Sequence, residues 1–130
     1  MFFAKSILAL AALATTASAV ALRAANDVFS PPVTSPTAGE VWTVGSVQTV
    51  TWDTSSIPAA NQNQTGLILL GFVEDGSTDE HLDIENPLAS NFPIRDGAVN
   101  VTVPQVATRD DYIVVLFGDS GNSSPKFTIN

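Results

Sequence analysis

The hydrophobic and polar positions divide the chain into short apolar runs separated by proline, glycine and small polar residues. β-branched and aromatic residues dominate those runs, as a pleated, half-buried surface requires. The pattern predicts strands near Val33–Ser35, Val41–Val44, Val47–Trp52, Leu67–Val73, Leu82–Ile84, Val99–Val103, Tyr112–Phe117 and Lys126–Ile129. Prolines at 31, 32, 36, 58, 87, 93, 104 and 125 interrupt none of the apolar runs, so each missing amide hydrogen falls at a connection or a strand end. From residue 20 onward no segment sustains a 3.6-residue period with caps. The expected fold is all-β: an immunoglobulin- or fibronectin-like antiparallel sandwich of about seven strands.

The runs are not equivalent. Leu67–Val73 and Tyr112–Phe117 are apolar on both faces, which marks central strands or strands whose second face is covered. Gly71 inside the first run signals a bulge or a close backbone approach. Val99-Asn100-Val101-Thr102-Val103 alternates, with the valines inward and Asn100 and Thr102 toward solvent. Trp52 follows Val50 at period two and is expected in the core. Asp110-Asp111-Tyr112 opens an apolar strand as in the tyrosine corner of Greek-key sandwiches, giving Tyr112 a structural role.

The chain begins with an address. Lys5 precedes the apolar run Ile7–Ala14, and Ala17-Ser18-Ala19 gives a small-x-small cleavage site, so residues 1–19 read as a secretory signal peptide. The run is far short of the ~20 residues a membrane span needs. Residues 20–30 then read as a flexible lead-in, and 31–130 as one domain. The sequence closes on Phe127-Thr128-Ile129-Asn130 with no apolar tail, so a released product without a GPI anchor is expected.

Composition narrows the chemistry. Thirteen acids against five Lys and Arg give a net charge of −8, which disfavours nucleic acid and anionic lipid as partners. With no cysteine there is no disulfide, thiolate ligand or thiol nucleophile. The single histidine, His81, stands among acids as an ordinary surface residue. Glu74, Asp75, Asp79, Glu80, Asp83 and Glu85 suggest a calcium loop, but their spacing is not that of an EF-hand and a solvated connection explains them better. A glycosidase would need two carboxylates held apart across a groove, which one acidic stretch does not supply. No catalytic residue, cofactor or metal is expected, and the protein is read as a non-enzyme. The sequons Asn63-Gln64-Thr65, Asn100-Val101-Thr102 and Asn122-Ser123-Ser124 mark N-glycosylation candidates, with Asn63 favoured for its polar loop and Asn122 weakened by Pro125.

One stretch carries a resemblance. Ser35-Pro36, Gly39, Trp42 and Gly45, then Trp52, form the pattern S-P-x-x-G-x-x-W-x-x-G with a second tryptophan ten residues after the first. With Val101-Thr102-Val103-Pro104, Asp111-Tyr112-Ile113-Val114 and the closing Ser123–Ile129, it resembles the N-terminal domain of the fungal Kre/Knh-like cell-wall proteins, the Ser/Thr-rich GPI-anchored membrane family. The resemblance implies an immunoglobulin-like sandwich, secreted by a fungus, associated with the cell wall and in some relatives with β-1,6-glucan assembly. The family's Ser/Thr-rich stalk and GPI signal are not read in these 130 residues, so wall anchoring through them is not expected. The expected partner is a wall polysaccharide or glycoprotein. Trp42, on a short strand between Gly39 and Gly45, is the candidate glycan contact because an exposed indole face stacks on a pyranose, set against a structural reading in which its ring caps one edge of the sandwich. The alternative is a secreted protein–protein interaction module with no direct glycan binding.

Overall fold

The computed structural model describes residues 29–130. The expected signal peptide, 1–19, and the expected lead-in up to residue 28 lie outside the described residues. Among those described, nine strands are found: β1 Val33–Ser35, β2 Val41–Trp42, β3 Val47–Trp52, β4 Thr65–Phe72, β5 Ala89–Pro93, β6 Ala98–Thr102, β7 Arg109–Phe117, β8 Gly121–Ser123 and β9 Phe127–Ile129. Short 3-10 turns occupy Ala59–Asn61 and Ile94–Asp96.

The strands form an immunoglobulin-like sandwich. One sheet has the order β1-β3-β6; the other runs β2-β9-β7-β4-β5, with β8 on the same edge of β7 as β9. All pairings are antiparallel except β2 with β9, which is parallel (Val41 opposite Thr128, Trp42 opposite Ile129). The inward residues Val50 and Trp52 of β3 and Val101 of β6 meet Ile68 and Leu70 of β4 and Tyr112, Val114 and Leu116 of β7 in one core, closed by Trp42, Phe127 and Ile129. β4 and β7 are buried on both faces, since Leu69, Ile113 and Val115 are also inaccessible.

Three local expectations are corrected. Leu82–Ile84 is not a strand. The segment follows the free edge of β4 through isolated bonds (Phe72 N–H to Glu80 O, Asp83 N–H to Leu70 O, Leu88 N–H to Ile68 O) without a regular ladder. Two elements escaped the pattern: β5, where Asn91 takes a positive φ of 57° beside a register shift at Gly66/Leu67, and β8, a Gly-Asn-Ser run that pairs with β7. The lead-in ends earlier than expected. Phe29 is buried and packs at Gly118, with its carbonyl accepting from Asp119 N–H at 3.3 Å, so the domain includes Phe29 and Ser30.

Candidate functional site

Strand parity decides the tryptophans. In β2 the outward position belongs to Val41, 57% exposed, and the inward one to Trp42, 1% exposed. The Trp42 ring lies 4.6 Å from that of Phe127, and its Nε1–H donates to Glu40 Oε2 at 2.7 Å. The expectation that Trp42 contacts glycan is therefore overturned: neither indole face is open to a sugar. Trp52 is buried, near the Phe92 ring, and its Nε1–H donates to Ile94 O at 2.7 Å. Tyr112 is buried, and its hydroxyl donates to Ala107 O, five residues upstream, at 2.6 Å. That bond ties the 103–108 connection to the start of β7, as a tyrosine corner does.

The concave feature lies elsewhere. A cavity of about 180 Å³ is lined by Leu70, Gly71, Phe72, His81, Asp83, Val106 and Tyr112. It forms because the 80–83 segment passes close over Gly71, where a β-carbon would meet Glu80 O and Leu82 Cδ2. The acids of this connection build its path. Glu74 O accepts from Ser77 N–H across a turn with Gly76 at φ 78°, Asp79 Oδ1 accepts from His81 N–H, and Asp83 Oδ1 from Asn86 N–H. Short carboxylate side chains that bond backbone a few residues on are turn formers. Among the described residues no three His, Asp or Glu side chains converge to hold a metal.

One wall of the cavity is a stack. The His81 ring lies nearly parallel to that of Phe72, centroids 4.3 Å apart, and the Arg109 guanidinium carbon sits 3.9 Å from the same centroid. Two groups that close cannot share one face, so Phe72 is sandwiched between imidazole and guanidinium. Arg109 is held in turn by Asp111, Nε and Nη2 donating to its two carboxylate oxygens at 2.7 and 2.9 Å. This forked bond keeps the Asp111 carboxyl below its ordinary pKa and raises that of Arg109. Glu74 and Asp79 stand 3.6 and 3.8 Å from the two nitrogens of His81. Burial raises the pKa of Tyr112. Sequence reasoning marked Gly71 as a point of close approach but left His81 and Asp83 in a solvated loop and gave Arg109 and Val106 no role.

The sequons fall in three settings. Asn63 is exposed in the turn before β4, its Oδ1 accepting from Arg95 Nη1 at 3.2 Å. Asn100 is exposed on β6 opposite Thr49, whose hydroxyl donates to its Oδ1 at 2.8 Å. Asn122, half-buried on β8, instead commits its Nδ2, which donates to Ser30 O at 3.2 Å.

Among known proteins, no curated protein and no solved structure matches the chain. The family described as the Kre9/KNH-like N-terminal Ig-like domain matches residues 35–129, nearly the whole of the sandwich. That family is linked to the fungal cell wall and to synthesis of its glucan. The span of the match, over two sheets closed around Trp42, Trp52 and Tyr112, places this chain in the Kre9/KNH-like N-terminal Ig-like domain family.

Proposed function

We propose that this protein is a secreted, non-enzymatic component of the fungal cell wall that binds neutral wall polysaccharide by taking one sugar ring into the cavity beside β4. The observation that carries the reading is the cavity itself: apolar Leu70, Phe72, Val106 and Tyr112 with two polar side chains, His81 and Asp83. An apolar lining with a few placed polar groups is the usual composition of a small-ligand site. A pyranose offers C–H faces to the rings and hydroxyls to the carboxylate and imidazole. At about 180 Å³ the space is somewhat larger than the roughly 150 Å³ that holds a benzene ring in an engineered protein cavity. Asp83 is the one carboxylate in the lining, whereas glycoside hydrolysis uses a pair. The acids around His81 favour a neutral chain over an anionic one.

The competing reading, a protein partner, draws on Ile84, which is 73% exposed one residue beyond Asp83. Retention of the purified protein on fractionated wall glucans, chitin and mannoprotein separates the two. Binding to a neutral glucan, weakened in Asp83→Asn, which keeps an oxygen for Asn86 N–H, and lost in the cavity-filling Val106→Phe while both variants melt normally, is the expected result. Retention on mannoprotein alone, lost in Ile84→Ser, supports the competing reading. Absence of binding to every fraction ends both.

A further inference from the structure

We propose that Asn63 and Asn100 each carry an N-linked glycan and that Asn122, although it heads a sequon, does not. The proposal rests on export, the first element of the function proposed above, and not on polysaccharide binding. The reaction joins the Asn Nδ2 to the anomeric carbon of an oligosaccharide carried on a lipid pyrophosphate. A C–N bond forms, the anomeric C–O bond to the pyrophosphate breaks, the lipid pyrophosphate leaves, and the amide nitrogen gives up one proton. The folded product must then accommodate a bulky substituent on Nδ2.

At Asn63 and Asn100 only Oδ1 is engaged, by Arg95 and by Thr49. Among the described residues neither Nδ2 has a hydrogen-bond partner, and both side chains are exposed. A glycan therefore leaves each residue without breaking a contact. Asn100 also projects from a neutral surface. On β3 and β6 the outward side chains are Val47, Thr49, Thr51, Ala98, Asn100 and Thr102, none charged in a chain of net charge −8. Val47, 65% exposed and diagonal to Asn100 across the β3–β6 pair, gives the first sugar an apolar seat.

Asn122 differs in direction. Its Nδ2 points at the carbonyl of Ser30, which precedes the fully buried Pro31, and Ser30 Oγ donates back to Gly121 O at 3.3 Å. A sugar on that nitrogen crowds the Ser30 carbonyl that the same nitrogen faces.

The test is secretion of the full chain from a yeast host, recovery from the medium, and site mapping by enzymatic deglycosylation in ¹⁸O water with peptide mass spectrometry. Glycan is expected on Asn63 and Asn100 and not on Asn122. Asn63→Gln and Asn100→Gln each remove one glycan, the double variant removes all of it, and Asn122→Gln changes nothing. Because Asn122 heads a serine sequon and the others threonine sequons, Thr65→Ser separates fold from sequon strength. Asn63 keeps its glycan in that variant if the setting decides, and falls to the level of Asn122 if sequon strength decides. Glycan on Asn122, an unmodified Asn63 or Asn100 in secreted protein, or the Thr65→Ser loss would each overturn the proposal. Polysaccharide retention by the fully deglycosylated protein tests the cavity separately.

Discussion

Replacing Gly71 by alanine reads the cavity through the sign of a stability change. Gly71 sits in the eight-residue strand β4 and is not among the glycines with positive φ, so alanine fits its backbone. In open space the substitution would stabilise by about 0.4–1 kcal/mol, because alanine has less freedom to lose from the unfolded chain. The space is not open: the new methyl would strike the carbonyl oxygen of Glu80 and come within 2.7 Å of Leu82 Cδ2. Leu82 can rotate away. Glu80 O cannot retreat without giving up the bond it accepts from Phe72 N–H at 3.1 Å, and Asp83 N–H to Leu70 O at 2.9 Å lies next along the same edge. Overpacking costs roughly 1–3 kcal/mol, and each lost bond about 1 kcal/mol more. Gly71→Ala should therefore lower stability by about 2 kcal/mol net, with a melting temperature lower by some 8 °C or more. Urea unfolding supplies the free energy, and an unchanged m value shows that the folded and unfolded states keep their compactness. Leu82→Ala in the same background should recover little, because the unyielding atom is backbone. A Gly71→Ala protein as stable as the parent, or more so, would refute the close passage of residues 80–83 and with it the wall of the cavity.

The remaining predictions concern the core and its titration. Trp42→Ala should cost about 3–5 kcal/mol, as truncation of a buried aromatic does, so any loss of glucan retention should track loss of fold measured by circular dichroism. Tyr112→Phe should cost about 1 kcal/mol by removing the bond to Ala107 O, whose residue is exposed enough for water to replace the donor. Stability should fall at both pH extremes. Asp53 and Asp111, with carboxyls held below the ordinary range by Ser55 N–H and Arg109, contribute stability that is present above about pH 4 and lost as acid protonates them. Tyr112, raised by burial, contributes no pH dependence below about pH 10, and stability drains above it as the unfolded tyrosine ionises first. Melting temperature across the pH range checks both limbs, and Tyr112→Phe should flatten the alkaline one.

Much of the sandwich is written in local pattern, and the failures have physical causes. Val47–Trp52 is a strand with the predicted bounds because alternation, β-branching and flanking turns all agree there. β5 and β8 were not legible: Ala-Ser-Asn-Phe-Pro and Gly-Asn-Ser have no apolar period, and they become strands only because β4 and β7 offer unpaired edges. Leu82–Ile84 failed the opposite way, apolar enough to look like a strand but lying where carboxylate-capped turns break the ladder. The error at Trp42 is one of parity. A two-residue strand gives no alternation from which to read its face, and the parallel pairing with β9 that sets the face joins residues 41 and 128, far apart in sequence. Phe29 was invisible because its partners, Gly118 and Asp119, are equally remote. Asn122 belongs with it, since what distinguishes that sequon is a contact with Ser30.

The cavity shows how an acidic connection becomes part of a candidate site. The 74–88 crossing carries six of the chain's thirteen acids, and on composition alone such a stretch should stay in water. Three features draw it onto the sheet. Gly71 removes the β-carbon that would hold it off, Phe72 offers a ring face to His81, and the other face of that ring is already taken by Arg109. Arg109 also neutralises Asp111, so the cluster around Phe72 does not accumulate unopposed negative charge as the acidic crossing arrives. Its position is in turn fixed by β7, whose first residues Tyr112 anchors to the 103–108 connection. One chain of contacts thus runs from the tyrosine corner to the cavity wall. Arg109→Met, which keeps a flexible apolar cover over Phe72 but removes the charge, isolates the electrostatic link. If the charge seats the crossing, the His81 ring should lose its Phe72-induced upfield shift in the NMR spectrum while the Tyr112 core resonances stay in place. A His81 shift that survives the substitution would mean that Gly71 and the ring face hold the crossing without Arg109.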